Sequence, residues 1–169
     1  MLKLCRIAFG AALSLSGLWG SVAGEPNRDK AGGELPLPQP RLEGGLSLEQ
    51  AIQKRRSERD FTVRPLALAQ VSQLLWSAQG ITEDSIGLRA APSAGALYPL
   101  DLYLVVGERG VQGLAAGIYL YSPHRHSLRL LAEGDFRNPL ARACLRQMFI
   151  AWAPLALVVT VEYRRITED

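Results

Sequence analysis

The chain has 169 residues, a length that suits one domain, and 48% of them are hydrophobic against 21% charged, a globular composition that excludes intrinsic disorder. Its formal net charge is +3; two of those charges, Lys3 and Arg6, lie in an expected removable signal, and the remaining +1 does not support nucleic-acid binding. Of its two cysteines, Cys5 falls in the same signal, so Cys144 stands alone, no internal disulfide is expected and the fold must rest on its core.

Residues 1–23 read as a secretory signal. Lys3 and Arg6 make the basic start, Ile7 to Leu18 the apolar run, and Ser21-Val22-Ala23 the small residues of a cleavage site. The run is shorter than the roughly 20 residues that span a bilayer, so no stable membrane span is expected. No twin-Arg pair precedes it, which points to the general secretory route and, for a bacterial protein, the periplasm. Residues 24–45 read as a Pro/Gly-rich linker, in which Leu35-Pro36-Leu37-Pro38 can run extended over the surface. The domain is expected over residues 46–169.

Ser47 is a good N-cap, and Gln50 completes a capping box for a helix running to about Arg56. Lys54 to Phe61 then sets Arg55, Arg56 and Arg59 around the Ser57 hydroxyl, where the helix gives way to an extended segment. Guanidinium forks grip phosphate oxygens through parallel donors, so the stretch suits a phosphate; a solvated basic helix end is the plain alternative. A second helix is expected over Ala67 to Gln79, with Val71, Leu74, Leu75 and Ala78 on one face and Gly80 as its stop. Arg89 to Leu100 follows, with small residues between Pro92 and Pro99 that allow close approach of another group.

Strands are expected at Leu102–Val106, apolar on both faces and therefore central, and at Gly117–Tyr121 and Leu128–Leu131, joined as a hairpin through Ser122 to His126. His124 and His126 have no third ligand at a helpful spacing, so they read as a polar turn and no metal is assigned. One helix is expected over Asp135 to Met148, interrupted or delayed by Pro139, with Cys144 as a small buried hydrophobe. Leu155 to Val161 is a buried strand.

In this order, Arg55-Arg56-Ser57-x-Arg59-x-Phe61, Leu74 to Thr82, Pro92-Ser93-Ala94-Gly95-Ala96-Leu97-Tyr98-Pro99, Gly117 to Tyr121 and Gln147 to Pro154 resemble the FMN-dependent nitroreductase superfamily. Within it the chain is most similar to the SagB-type dehydrogenase branch, which includes azoline oxidases. The resemblance implies an α+β fold, a mixed β-sheet flanked by helices, and a homodimer with FMN at its interface. It implies that Arg55, Arg56, Ser57 and Arg59 bind FMN, with Arg55 and Ser57 on the phosphate and Arg59 towards the ribityl chain or ring. Pro92, Ser93, Ala94 and Gly95 match the stretch that meets the other subunit's FMN; where many members carry an amide, this chain has Ala96. A small-molecule or peptide substrate is implied, and no catalytic side chain, because the flavin carries the hydride chemistry. Family domains continue past Asp169, so the domain is expected to be incomplete at its C-terminus, and a non-catalytic exported remnant that no longer binds FMN is the alternative.

Overall fold

A computed structural model describes residues 33–167. The expected signal and the first part of the expected linker lie outside the described residues. Among those described, no helix is long and apolar enough to cross a membrane.

The fold is α+β, built on a five-stranded sheet. In chain order the elements are β1 (Leu35–Pro36), α1 (Leu48–Lys54), α2 (Leu68–Gln79), β2 (Ile81–Glu83), β3 (Leu88–Arg89), β4 (Leu100–Val106), β5 (Gly117–Ser122), β6 (Ser127–Glu133), α3 (Arg137–Ala143), α4 (Phe149–Trp152), β7 (Leu155–Val161) and α5 (Arg164–Thr167). The sheet runs β1-β6-β5-β4-β7, with antiparallel ladders throughout; β2 and β3 form a separate small hairpin. Among the described residues, parallel pairing is confined to an isolated bridge between Leu66 and Val111.

β4 is central as expected, with β5 on one side and β7 on the other. Its register sets Leu104 opposite Tyr119 and Leu157. Side chains of a strand alternate between faces, so Leu102, Leu104 and Val106 share one. They join Val71 and Leu75 of α2 in the core, together with Tyr119, Tyr121, Leu128, Leu155 and Leu157. α2 is thus the helix that covers this face. It buries Val71, Ser72, Leu75 and Gln79, whereas Leu74 and Ala78 are only half-buried. The backbone at Gly80 is extended (φ −65°, ψ 155°), so this glycine is not needed for a left-handed stop. It is needed for room: a Cβ there would lie 2.7 Å from Trp76 Cα and run into the indole ring.

Within the stretch read as a linker, β1 pairs with β6 and Leu37 is a core residue. Glu34 fastens this strand, accepting from Arg125 Nη1 (2.6 Å) and from Ser127 Oγ (3.1 Å). Ser72 Oγ donates to the Pro38 carbonyl, and His126 Nε2 lies 2.7 Å from Ser72 Oγ and 3.1 Å from the same carbonyl. The other ring nitrogen of His126 stands 2.9 Å from the Tyr121 hydroxyl. The turn joining β5 to β6 is therefore more than the polar turn read from sequence: His126, itself at φ 44°, ties the N-terminal strand to α2 and β5. His124 stays exposed.

Two helices differ from expectation. α1 ends at Lys54 and buries none of its residues; Leu48 and Ile52 are 72% and 66% exposed. The helix expected over Asp135 to Met148 is broken in two. Leu145 and Arg146 both take left-handed backbone conformations (φ 56° and 57°), which ends α3 after Ala143 and turns the chain into α4.

Candidate flavin site

The basic stretch begins where α1 stops. Arg55 caps the helix, its N–H donating to the carbonyls of Ala51 (3.0 Å) and Ile52 (3.3 Å). From Arg55 to Asp60 the chain is irregular and exposed. Arg56 folds back, Nη1 donating to the carbonyls of Gln53 and Arg55 at 2.8 Å each. Carbonyls at a helix C-terminus lack intrahelical donors, and this side chain supplies one. The Arg59 guanidinium sits 5.5 Å from the centroid of the Phe149 ring, a cation–π contact that fixes it against α4. The Arg55 guanidinium and the Ser57 hydroxyl have no partner among the described residues, so their donors remain available. Beside this stretch is a cleft of about 210 Å³, walled by Phe61, Phe149, Leu155 and Leu157.

Pro92 to Gly95 lies elsewhere. Ser93 Oγ accepts the Tyr98 N–H at 2.9 Å, closing a tight turn over Ala94–Ala96. Gly95, Ala96 and Tyr98 all have positive φ (63°, 53° and 43°), a conformation that favours glycine and that two non-glycine residues hold here. Contacts from outside the turn keep it so. The Tyr98 hydroxyl accepts the Arg89 N–H at 3.2 Å, and the Arg89 guanidinium lies 4.5 Å from the Tyr98 ring centroid. Arg165 donates to the Tyr98 carbonyl at 3.1 Å and grips Asp101 through both Nη atoms at 2.9 and 3.1 Å. Pro92, Ala94, Gly95 and Ala96 are exposed, leaving backbone accessible with little side chain over it.

A second cleft, of about 710 Å³, opens beside this turn and is bounded by the β2–β3 hairpin and the end of β5. Burial pushes the Tyr121 phenol on its edge up to about 12. No residue lines both clefts. The structure thus leaves Arg55, Ser57 and Arg59 on one exposed segment and Pro92–Gly95 on a separate turn, and none of these residues lines either cleft. It also identifies two residues with no role assigned from sequence, Arg89 and Arg165. Arg89 opens the small-residue stretch, and an arginine there was the available signal; Arg165 reaches Asp101 across 64 positions and left none.

The residues fit the phosphate end of a flavin: a cation and a hydroxyl with uncommitted donors stand together on exposed backbone. The small-residue turn fits a flat ring laid against backbone.

Comparison with known proteins bears on the family and the fold. A model of the Nitroreductase family matches residues 52–169. A protein of Methanocaldococcus jannaschii that carries the name "Putative nitroreductase MJ1384" is 42% identical over 122 residues, covering 72% of this chain and 60% of that protein. Indigoidine synthase of Streptomyces lavendulae is 39% identical over 72 residues, 41% of this chain and 6% of the synthase. A solved structure of a "putative nitroreductase" from Ralstonia eutropha JMP134 superposes with a TM-score of 0.66 at 32% identity, covering 86% of this chain and 61% of that one. The chain therefore spans about 60% of the length of the first two nitroreductase relatives.

Proposed function

The chain belongs to the Nitroreductase family, a family of flavin-dependent oxidoreductases, and we propose that it works as an FMN-dependent oxidoreductase whose flavin sits between two copies of the chain. The observation that carries this reading is the pair of uncommitted donors at Arg55 and Ser57, inside the family-matched region. Two features support the second copy. Neither cleft of one chain is lined by both Arg55–Arg59 and Pro92–Gly95, so each stretch can serve a different flavin. α1, which delivers the basic stretch, leaves Leu48 and Ile52 in solvent, where a second subunit would cover them.

In this reading the Arg55 fork and the Ser57 hydroxyl hold phosphate oxygens, while Arg56 stiffens the helix end beneath them. Arg59, anchored on Phe149, supplies a fixed positive charge towards the ribityl chain or the ring. Pro92, Ser93, Ala94 and Gly95 keep the approach to the ring open. FMN, when bound, supplies the two-electron hydride chemistry. The match to indigoidine synthase, 39% identical over 72 residues, supports the SagB-type dehydrogenase branch, with a small-molecule or peptide substrate. The amino-terminal signal makes it an exported protein.

The test is flavin content. The purified full chain is expected to be yellow, or to take up added FMN, and to sediment as a dimer. Arg55→Gln and Ser57→Ala are each expected to weaken FMN retention about tenfold, the loss of one charge-assisted or one hydroxyl hydrogen bond to phosphate. A colourless monomer that takes up no FMN overturns the proposal in favour of a non-catalytic remnant.

A further inference from the structure

The larger cleft carries a cation that the flavin reading does not use. Six charged side chains among its lining define its electrostatics: Glu34 and Asp101 against Arg89, Arg125, Arg129 and Arg165. Both carboxylates are engaged, Glu34 with Arg125 at 2.6 Å and Asp101 with Arg165 at 2.9 Å. The Arg89 guanidinium has no hydrogen bond and no carboxylate partner among the described residues, and its Nε is buried without an acceptor. Burial lowers its pKa, and the neighbouring positive charge of Arg165 acts in the same direction. Tyr98 holds the group in place from below, at 4.5 Å. A half-buried guanidinium that is positioned yet lacks hydrogen-bond acceptors is costly, because part of its hydration is lost and the Tyr98 ring returns only a cation–π contact.

We propose that this cleft binds a small molecule through an oxyanion, a carboxylate or a phosphate, with Arg89 as the anchoring side chain. The volume, about 710 Å³, lies in the usual small-molecule range of roughly 300–1,000 Å³. The lining supplies apolar walls for the body of such a ligand through Leu97, Tyr98 and Leu120. A planar guanidinium presents paired donors to two oxygens of one ligand group, which the single charge of a lysine does not. Arg165, held by Asp101, adds to the local positive potential without itself being the open donor. Arg89 lines this cleft and Arg55 does not, so this site stands or falls separately from the Arg55–Ser57 phosphate grip.

The experiment is calorimetric titration of the full chain with benzoate and with inorganic phosphate at constant ionic strength, sodium chloride serving as the reference anion. Saturable one-site binding is expected for at least one probe with a Kd below about 10 mM, and Arg89→Gln is expected to weaken it about tenfold or more. Tighter binding of benzoate assigns the cleft to organic acids, and tighter binding of phosphate to phosphorylated molecules. Arg89→Lys, which keeps the charge and removes the fork, is expected to weaken binding as well, and it carries the test if circular dichroism shows that Arg89→Gln has not folded. Arg55→Gln is expected to leave the benzoate affinity unchanged, whatever it does to flavin or to phosphate. Absence of saturable binding by either probe overturns the proposal. So does an affinity that a folded Arg89 variant leaves intact, or a benzoate affinity lost in Arg55→Gln.

Discussion

The Ser72 hydroxyl is where three distant parts of the chain meet, and its removal gives a measurable account of how the N-terminal strand is held. Ser72 is fully buried on α2, donates to the Pro38 carbonyl, and lies 2.7 Å from His126 Nε2. With that hydroxyl proton on Pro38, the ring nitrogen must donate to Ser72, and Nδ1 then accepts from the Tyr121 hydroxyl. Ser72→Ala takes away both of its bonds. It leaves neither neighbour orphaned, because His126 Nε2 still reaches the Pro38 carbonyl at 3.1 Å. The expected cost is therefore the net value of one to two hydrogen bonds, about 1–2 kcal/mol, without the larger penalty of a stranded buried group. Urea denaturation followed by circular dichroism gives this number. Pairing the change with His126→Ala should show non-additivity of about 0.5 kcal/mol or more, since the two side chains share a network. Hydrogen exchange supplies the local readout: the Leu37 amide, which donates to the His126 carbonyl at 2.9 Å, should exchange faster in both variants. Stability unchanged within about 0.3 kcal/mol, or strictly additive effects, would refute the idea that this network holds the strand.

Two further expectations concern the sheet and its periphery. Leu104 is fully buried on the central strand, so Leu104→Ala should cost about 2–5 kcal/mol in the same denaturation assay, with no shift if the core sits elsewhere. Asp135 is held down to about 2, chiefly by side-chain hydrogen bonds from Arg137, at 2.6 Å for the shortest. A carboxyl whose folded pKa is depressed contributes stability above its ordinary range and loses it as pH falls from about 4 to about 2. Asp135→Asn should remove that acid-side dependence from a profile of melting temperature against pH, and an unchanged profile would show that the pair contributes nothing.

The parts of the fold that were legible in sequence are those specified by local pattern. Leu155–Val161 is a run of β-branched and leucine residues with one alanine, and it forms β7 over that same span, although only Leu155 and Leu157 are buried and its far end, at Val159 and Thr160, is exposed. α2 was visible from its 3.6-residue apolar period, although the period could not show that polar Ser72 and Gln79 would be buried beside Val71 and Leu75. β1 was not visible as a strand: two residues, one of them proline, have no strand signature until β6 lies alongside. The break between α3 and α4 was equally silent, because Leu145 and Arg146 occupy a backbone region usually announced by glycine or asparagine. At the site, composition identified Arg55 to Arg59 because clustered charge is a local property. That Arg59 would rest on Phe149 depends on where the chain returns after ninety positions.

A β-sheet ends only where its backbone has nothing left to offer, and the two margins of this one differ in that respect. At β1 the outermost strand is two residues long and one of them, Pro36, has no N–H, so a further strand would find almost no ladder to join. At β7 seven consecutive residues pair with β4 on one side, and among the described residues no strand pairs on the other. The sheet can therefore be extended in one direction only. Any segment recruited by backbone pairing, from this protein or another, would add beside Leu155–Val161 and leave the proline margin as it is.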